Sequence, residues 1–492
     1  MIWIDLAYLL CMILLSIYGF NSLVLTLLEL RHRGDPEPDL PAPKDWPYVT
    51  VQLPIYNELH TVERLLDSCA ALDYPRDRLE IQLLDDSTDE TRLVGAHAVE
   101  RLRWQGLNVV HVTRSNRTGF KAGALALGLS RARGELLAIF DADFLPQPDF
   151  LRRLVPSFSD ATIGCVQTRW GHVNRKYSAF TQAQALGVDG HFLIEQIARS
   201  RAGLFINFNG TAGVWRRACI EDAGGWTADT LTEDLDLSYR AQLRGWKIGY
   251  RPDVVVPAEL PAQISAFKRQ QARWAQGSIQ AALKLLGPLL RSKHPWPVKL
   301  EGAIHLTGYL VHPLMLCMIL LTLPVSLSRS WVLSVAPWFM TAAVGPPLLY
   351  GMAQLSQGRG WMGRLRALPL LVLLGTGIAL SNTRAVLKAL LGIPQTFQRT
   401  PKFALREVGD RWVESAYALS ADRMVWGELG LSVFALAVLL APGVDKGATP
   451  WMLLYSCGFA YVAGVNLVQA YERRRWLATL PRSAEGTLGH TR

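Results

Sequence analysis

The chain has 492 residues, 50% of them hydrophobic, a formal net charge of +10 and a mean hydropathy of +0.15. This is too apolar for a typical soluble enzyme and too charged for a helical membrane bundle alone, so it predicts a mixed protein. The six cysteines have neither paired nor metal-ligand spacing, which argues against a disulfide framework and a zinc site. Much of the positive charge lies beside apolar segments, as on the cytoplasmic side of membranes, and we expect no nucleic-acid partner.

Five apolar segments predict membrane spans. The first, Ile2–Leu28, is longer than the core of a signal peptide and has no evident cleavage motif after it, so we interpret it as retained. The other four predicted spans are Val298–Leu327, Trp331–Leu355, Gly427–Ala441 and Trp451–Ala470.

A sixth apolar segment, Leu368–Leu380, is shorter than the ~20 residues that a spanning helix needs. If it crossed the membrane, the basic residues that follow it would face outward, against the usual distribution of Lys and Arg. We therefore predict that Arg364–Leu391 is an amphipathic or re-entrant element at the cytoplasmic interface. Five spans then place the N-terminus outside, and the C-terminus and the region between the first two spans in the cytosol, at a plasma, inner or Golgi membrane.

A Pro-rich linker, GDPEPDLPAPKDWP, separates the first span from a region with a different hydropathy pattern. Short runs rich in Val, Ile and Leu alternate there with helical patterns; the runs are YVTVQLPI, LEIQLLDD, LNVVHVTR and ELLAIFDADF. The alternation predicts an α/β domain with a mainly parallel sheet. Because ligands of such sheets bind at the carboxyl ends of the strands, acidic residues at those ends are candidate ligands.

Two predicted strands end in paired carboxylates: LEIQLLDDSTD contains Asp85 and Asp86, and LLAIFDADF contains Asp141 and Asp143. Alternation along a strand would put Asp141 and Asp143 on the same side, where they could share a divalent cation with a diphosphate. A polar loop after each strand is the alternative. Two acidic strand ends in one sheet favour the metal site.

Two further motifs have both a structural and a functional interpretation. Thr232-Glu233-Asp234 precedes a helical pattern; it is either a helix N-cap with acids favoured by the helix dipole, or the source of a general base. In QQARW, Gln270, Arg273 and Trp274 share one helix face, which can bind a sugar phosphate or rest on lipid headgroups.

The four motifs resemble a series found in processive, inverting family-2 glycosyltransferases, which have the GT-A fold. The series in that family is D, DxD, TED and Q(Q/R)xRW, and this chain has Asp85-Asp86, DAD, TED and QQARW in the same order. The likeness is greatest to the cellulose-synthase-like A and C proteins, which make mannan, glucomannan or xyloglucan backbones, and to their bacterial counterparts. VQTRWGHVN, GHFLIEQ, FNGTAGVWR and EDAGGW carry it. FQRTPK, Phe397 to Lys402, resembles the FxVT gating loop of cellulose synthases, with Arg399 in place of valine.

The resemblance implies that glucose or mannose is polymerised from UDP-glucose or GDP-mannose with Mg²⁺ or Mn²⁺, with inversion to a β-linkage and export of the glycan. Asp141 and Asp143 would hold the metal, and Asp234, beside Glu233, would be the general base. The implied donor-binding residues are Asp85, Asp86, Lys121, Asp141, Asp143, Arg273, Thr400 and Lys402. The implied acceptor-binding residues are Trp274, Gln270, Gln271, Asn209, Gly210 and Thr211.

The expected organisation is a first span (1–30), a linker (31–47), a cytosolic GT-A domain (48–260), interfacial helices with QQARW (261–297), two spans (298–355), an interfacial helix with the gating-loop-like segment (356–426), two spans (427–472) and a basic tail (473–492). The expected partners are the nucleotide sugar, a growing glycan or lipid acceptor, and membrane lipids. The main alternative is a non-processive lipid glycosyltransferase acting on diacylglycerol, ceramide or a polyprenyl carrier, because such enzymes share DxD and (Q/R)xxRW. A transporter or receptor with a nucleotide-sugar sensor would bind the nucleotide without turnover.

Overall fold

The computed structural model describes residues 1–35, 40–394, 398–407 and 409–480. In its first half the elements are α1 (Ile2–His32), β1 (Val49–Ile55), α2 (Val62–Ala70), β2 (Leu79–Asp85), α3 (Thr91–Trp104), β3 (Val109–Thr113), α4 (Phe120–Arg131), β4 (Leu136–Ile139), α5 (Phe150–Leu154), β5 (Ile163–His172), α6 (Ala179–Gly190), α7 (Gln196–Arg201), β6 (Gly213–Arg216), α8 (Arg217–Asp222), α9 (Glu233–Leu243) and β7 (Lys247–Ala258). A π-helical turn, His191–Glu195, joins α6 to α7.

The second half is helical. Its elements are α10 (Ile264–Arg291), α11 (Trp296–Thr307), α12 (Val311–Leu327), α13 (Val332–Met340), α14 (Gly345–Ser356), α15 (Trp361–Leu365), α16 (Leu368–Gly377), α17 (Ala379–Leu390), α18 (Val425–Leu440) and α19 (Thr449–Leu477).

The strands form one seven-stranded sheet in the order β3-β2-β1-β4-β6-β5-β7. β1 pairs in parallel with β2 and β4, and β2 pairs in parallel with β3. β6 runs antiparallel between β4 and β5, and β5 is parallel to β7. The prediction of an α/β domain with a mainly parallel sheet is therefore confirmed, with β6 as the one antiparallel strand.

Both faces of the central strands are covered, which is why their sequences are continuous apolar runs. Val51, Leu83 and Phe150 belong to the cluster on one face, and Leu125 and Trp215 to the cluster on the other. The parallel register aligns the carboxyl ends of β1, β2 and β4 along one edge, so the segments that follow these strands meet there.

Four helical stretches of the described residues are long and apolar enough to cross a membrane: Ile2–His32, Trp296–Leu327, Val332–Ser356 and Lys446–Leu477. They indicate an integral membrane protein and correspond to four of the five predicted spans. The other predicted span, Gly427–Ala441, falls on α18, whose 16 residues are short for a bilayer.

The segment predicted to be interfacial or re-entrant contains α15, α16 and α17. The pair Trp361–Gly377 and Ala379–Leu390 is bent by 43° and is either a broken span or a re-entrant loop. The topology of the chain thus stays a prediction. Phe397, part of the linker (36–39) and most of the basic tail (481–492) lie outside the described residues.

Candidate active site

A cavity lies at the sheet edge where β1 and β4 end, bounded by the start of α9 and by α10. Residues from all four predicted motifs line it, although they are far apart in the chain. The predicted site residues on its wall are Asp86, Lys121, Asp141, Asp143, Asn209, Gly210, Glu233, Asp234, Gln270, Arg273, Trp274, Thr400 and Lys402. The fold therefore gathers most of the predicted site in one place.

Three predicted site residues are not on the cavity wall. Asp85 is buried at the end of β2, where its carboxylate contacts His111 Nε2 at 2.9 Å and accepts the Ser87 N–H at 2.8 Å. Burial acts to raise the pKa of Asp85, but these hydrogen bonds hold it below its ordinary value. Gln271 Oε1 accepts a hydrogen bond from the Tyr309 hydroxyl at 3.5 Å, and the buried Thr211 hydroxyl accepts the Asp141 N–H at 2.9 Å.

The two aspartates of the DxD motif lie in a turn after β4. The prediction that they alternate within a strand was wrong, because β4 ends at Ile139. Lys121 Nζ lies 2.5 Å from Asp141 Oδ1, and Lys402 Nζ lies 2.7 Å from Asp143 Oδ2. Each carboxylate thus faces its own ammonium group on the cavity wall.

The carboxylates of Asp141 and Asp143 fit a hard divalent cation. Among the described residues there is no cluster of three or more His, Cys, Asp or Glu that could form a complete protein cage. Mg²⁺ is commonly held by one or two carboxylates together with substrate phosphates and water, and carboxylate oxygens also suit Mn²⁺. The side chain of Asp141 is 37% exposed and so is accessible from the cavity.

Asp234 lies in the first turn of α9. Thr232 is the N-cap residue of the helix and acids lie in its first turn, as the structural interpretation predicts, but the Thr232 side chain makes no capping hydrogen bond. Burial, and then the charge of Glu233, raise the pKa of Asp234 to about 7, while the Lys121 ammonium opposes the shift. Gly210 has φ of +80°, and a Cβ there would lie 2.8 Å from Asp234 Oδ2, so glycine gives this carboxylate its space.

α10 brings Gln270, Arg273 and Trp274 to the cavity. Burial lowers the pKa of Arg273 from its ordinary value, although the nearby acidic side chains act to raise it. α10 packs closely on the loop before Asp234, since a Cβ at Gly277 would lie 2.5 Å from Thr232 Cγ2. This contact joins the QQARW helix to the TED motif.

Sequence reasoning missed several residues of the cavity wall. Tyr56 and Glu58 follow β1, and the rule that identified Asp86 at the end of β2 applies equally to them. The Arg117 guanidinium lies 3.3 Å from the centroid of the Tyr56 ring. Arg399 lies 3.2 Å from Glu58, and burial raises the pKa of Glu58 to about 8 although Arg399 lowers it.

Another missed group lies on the far side of the cavity. It comprises Trp170 and His172 at the end of β5, and Glu259 just after β7. Burial raises the pKa of Glu259 to about 7, against the lowering effect of Lys402. Trp170 and His172 belong to VQTRWGHVN, which the sequence analysis used only for the family resemblance.

Comparison with known proteins supports the assignment of this domain. Residues 47–277 match the family model described as glycosyltransferase-like family 2. Over 255 residues the chain is 44% identical to glucomannan 4-beta-mannosyltransferase 2 of Arabidopsis thaliana, covering 51% of this chain and 48% of that protein. Over 274 residues it is 42% identical to glucomannan 4-beta-mannosyltransferase 1 of Oryza sativa subsp. japonica, covering 54% of this chain and 52% of that protein. The chain thus spans about half the length of these relatives.

A mannosyltransferase from Pyrobaculum calidifontis, solved in complex with GDP-Man and Mn²⁺, has a similar fold. It is 26% identical with a TM-score of 0.52, and the match covers 79% of this chain and 100% of that one. The sheet, the cavity at its edge and this likeness define a GT-A nucleotide-sugar domain. Residues 47–277 thus match glycosyltransferase family 2, and the predicted resemblance to glucomannan-synthesising, cellulose-synthase-like proteins is confirmed.

Proposed function

We propose that the chain is a membrane-embedded, inverting β-glycosyltransferase that adds mannose from GDP-mannose to the end of a growing β-linked glycan and exports it. The observation that carries this proposal is the convergence of DxD, TED, QQARW and the segment 398–402 on one cavity. The similar proteins are named as mannosyltransferases, which favours mannose over glucose as the sugar transferred.

Three cationic side chains surround the place proposed for the donor diphosphate. Lys121 and Lys402 pair with the DxD carboxylates, and Arg273 lines the same cavity. Guanidinium and ammonium groups form strong hydrogen bonds with phosphate oxygens. Bound Mg²⁺ or Mn²⁺, held by Asp141 and Asp143, would neutralise charge on the departing diphosphate.

The nucleoside is proposed to lie beyond β1, near Asp86. The Asp86 carboxylate is fixed by Arg114, whose Nε donates to Asp86 Oδ1 at 2.8 Å. Tyr56 and Arg117 lie on the same part of the wall and offer flat surfaces to a base.

Asp234 is the proposed general base. A carboxylate with a pKa near neutrality can accept a proton from the acceptor hydroxyl at physiological pH. The hydroxyl oxygen then attacks the anomeric carbon from the face opposite the diphosphate, so an α-linked donor gives a β-linkage. Trp274 lines the same cavity, and its flat apolar ring is proposed to stack on the terminal acceptor sugar.

The decisive experiment uses the purified chain in nanodiscs with Mn²⁺ and either radiolabelled GDP-mannose or UDP-glucose. We expect a high-mass β-linked product from GDP-mannose, and none from Asp234→Asn. A short, solvent-extractable product formed only with added lipid acceptor would favour the lipid glycosyltransferase instead. Failure of the native protein to transfer mannose would overturn the proposal.

A further inference from the structure

Trp170 and His172 reach the cavity from the end of β5, and the mechanism above assigns them no role. They are two positions apart on the strand, so their side chains lie on the same face. In the strand order, β5 is separated from β1 and β2 by β4 and β6. The pair therefore lies on the opposite side of the DxD turn from Asp86, away from the proposed nucleoside position.

His172 is held by a buried carboxylate. Its Nε2 lies 2.9 Å from Asp189 Oδ1, and both side chains are 6% exposed. Burial acts to raise the pKa of Asp189, but the hydrogen bond from the His172 imidazole and the charge of Arg175 keep it well below its ordinary value. Asp189 is therefore ionised and fixes the proton on Nε2 of His172. The ring nitrogen that remains for a ligand is Nδ1.

The same carboxylate ties this wall of the cavity to a membrane helix. Asp189 Oδ2 accepts hydrogen bonds from Gln354 Nε2 and from Gln357 Nε2, each at 3.0 Å. Gln354 lies on α14, which forms part of the candidate span Val332–Ser356. His172 is therefore positioned from the membrane side of the domain.

Trp170 adds an aromatic surface next to the imidazole. Its ring is packed edge-on against Phe144, with 5.1 Å between the ring centroids. Within the described residues its buried indole N–H has no hydrogen-bond partner. A fixed aromatic ring beside polar hydrogen-bonding groups suits a sugar, which has apolar faces and a rim of hydroxyls.

We propose that Trp170 and His172 form a subsite for the acceptor glycan, in which His172 Nδ1 accepts a hydrogen bond from a sugar hydroxyl and Asp189 positions the imidazole. This inference rests on the proposed function. It assigns these residues to acceptor binding and leaves donor binding to the groups on β1, β2 and α10.

Two substitutions separate ligand binding from a structural role. In His172→Gln the amide can replace Nε2 and keep the contact with Asp189, but it offers nothing at the position of Nδ1. In His172→Asn the amide replaces Nδ1 and loses the contact with Asp189. The matched control is His97→Gln, an exposed histidine on α3.

Transfer from GDP-mannose to β-1,4-linked mannotetraose should be measured with each variant, together with GDP binding and thermal unfolding. We expect His172→Gln to raise the KM for mannotetraose about 10-fold, the effect of one lost hydrogen bond, with the KM for GDP-mannose and GDP binding unchanged. His172→Asn should retain a lower acceptor KM than His172→Gln.

The opposite order, with His172→Gln like the native protein and His172→Asn impaired, would show a structural role and overturn the inference. A change in the KM for GDP-mannose alone would overturn the assignment to the acceptor. If His172→Gln fails to fold, Trp170→Leu compared with Trp170→Phe measures the same acceptor KM, and equal values would overturn the subsite. Failure of the native protein to transfer mannose would instead sink the proposed function.

Discussion

Lys402 Nζ lies 2.7 Å from Asp143 Oδ2, although the two residues are 259 positions apart in the chain. Lys402 also donates to the Glu259 carbonyl at 3.1 Å, and the N–H of Phe403 donates to Glu259 Oε1 at 2.9 Å. These contacts hold the segment that follows the α16–α17 pair against the DxD turn. The GT-A domain and the helical second half of the chain therefore share the site.

Replacing Lys402 by Met should lower kcat/KM for GDP-mannose by at least ~30-fold, because truncating one member of a buried charge pair costs several kcal/mol. Lys402→Arg should retain part of the activity, since it keeps a cation. Initial rates at varied donor concentration test this. A normal donor KM in Lys402→Met would show that this ammonium does not contact the diphosphate.

Asp234→Asn should reduce kcat by about 10²–10⁴-fold, the usual contribution of a general base. Binding of GDP-mannose should change little, because the amide keeps the shape of the side chain. Equilibrium binding and single-turnover transfer measure the two effects separately. Equal losses in both would indicate that Asp234 holds the donor.

The pH dependence should report the same carboxyl group. Because the pKa of Asp234 is raised from 3.8 to about 7, kcat/KM should rise with pH through that value as the base ionises. The free energy of unfolding changes in the opposite direction. The folded protein binds this proton more tightly than the unfolded chain does, so the contribution of Asp234 to the free energy of unfolding falls as the pH rises from 3.8 to about 7.

Asp234→Asn should therefore gain thermal stability relative to the native protein between about pH 5 and about pH 8. Thermal unfolding at both values measures it. Since Glu58 and Glu259 also have raised pKa values, Glu58→Gln is the control that should leave the Asp234 component in place. A constant stability difference across this range would contradict the raised pKa.

Removal of divalent metal with a chelator should abolish transfer, and Mn²⁺ or Mg²⁺ should restore it. Asp143→Ala should raise the metal concentration needed for half-maximal rate by about 10-fold or more, since it removes one of the two carboxylates proposed to hold the metal. Titration of Mn²⁺ against initial rate tests this. Full activity of the native protein in excess chelator would refute metal dependence.

The central strands of the domain could be predicted from the sequence, because strands buried on both faces are continuous runs of apolar residues. The predicted runs YVTVQLPI, LEIQLLDD and ELLAIFDADF contain β1, β2 and β4, although β4 ends already at Ile139. The antiparallel placement of β6 was not predictable, since the short run Gly213–Arg216 carries no information about direction. Whether the predicted span Gly427–Ala441 crosses the membrane stays a prediction, because apolar composition alone does not show whether a helix as short as Val425–Leu440 spans a bilayer.

Site residues could be predicted from the sequence where an acidic residue follows the carboxyl end of a strand, as at Asp86 and Asp143. The family resemblance assigned Asp85 to the donor, but successive residues along an extended chain point in opposite directions, and Asp85 is buried against His111. The pairing of His172 with Asp189 depends on β5 and α6 meeting in space, which local sequence does not specify.

The close packing of Gly277 on Thr232 has a consequence for sugar selection. With no room for a methyl group at this contact, the indole of Trp274 and the carboxylate of Asp234 are carried on elements that cannot slide apart or together without disrupting it. The spacing between the proposed stacking ring and the proposed base is therefore fixed by the fold. Mannose and glucose differ only in whether the C2 hydroxyl is axial or equatorial, so discrimination between them must come from contacts with that hydroxyl.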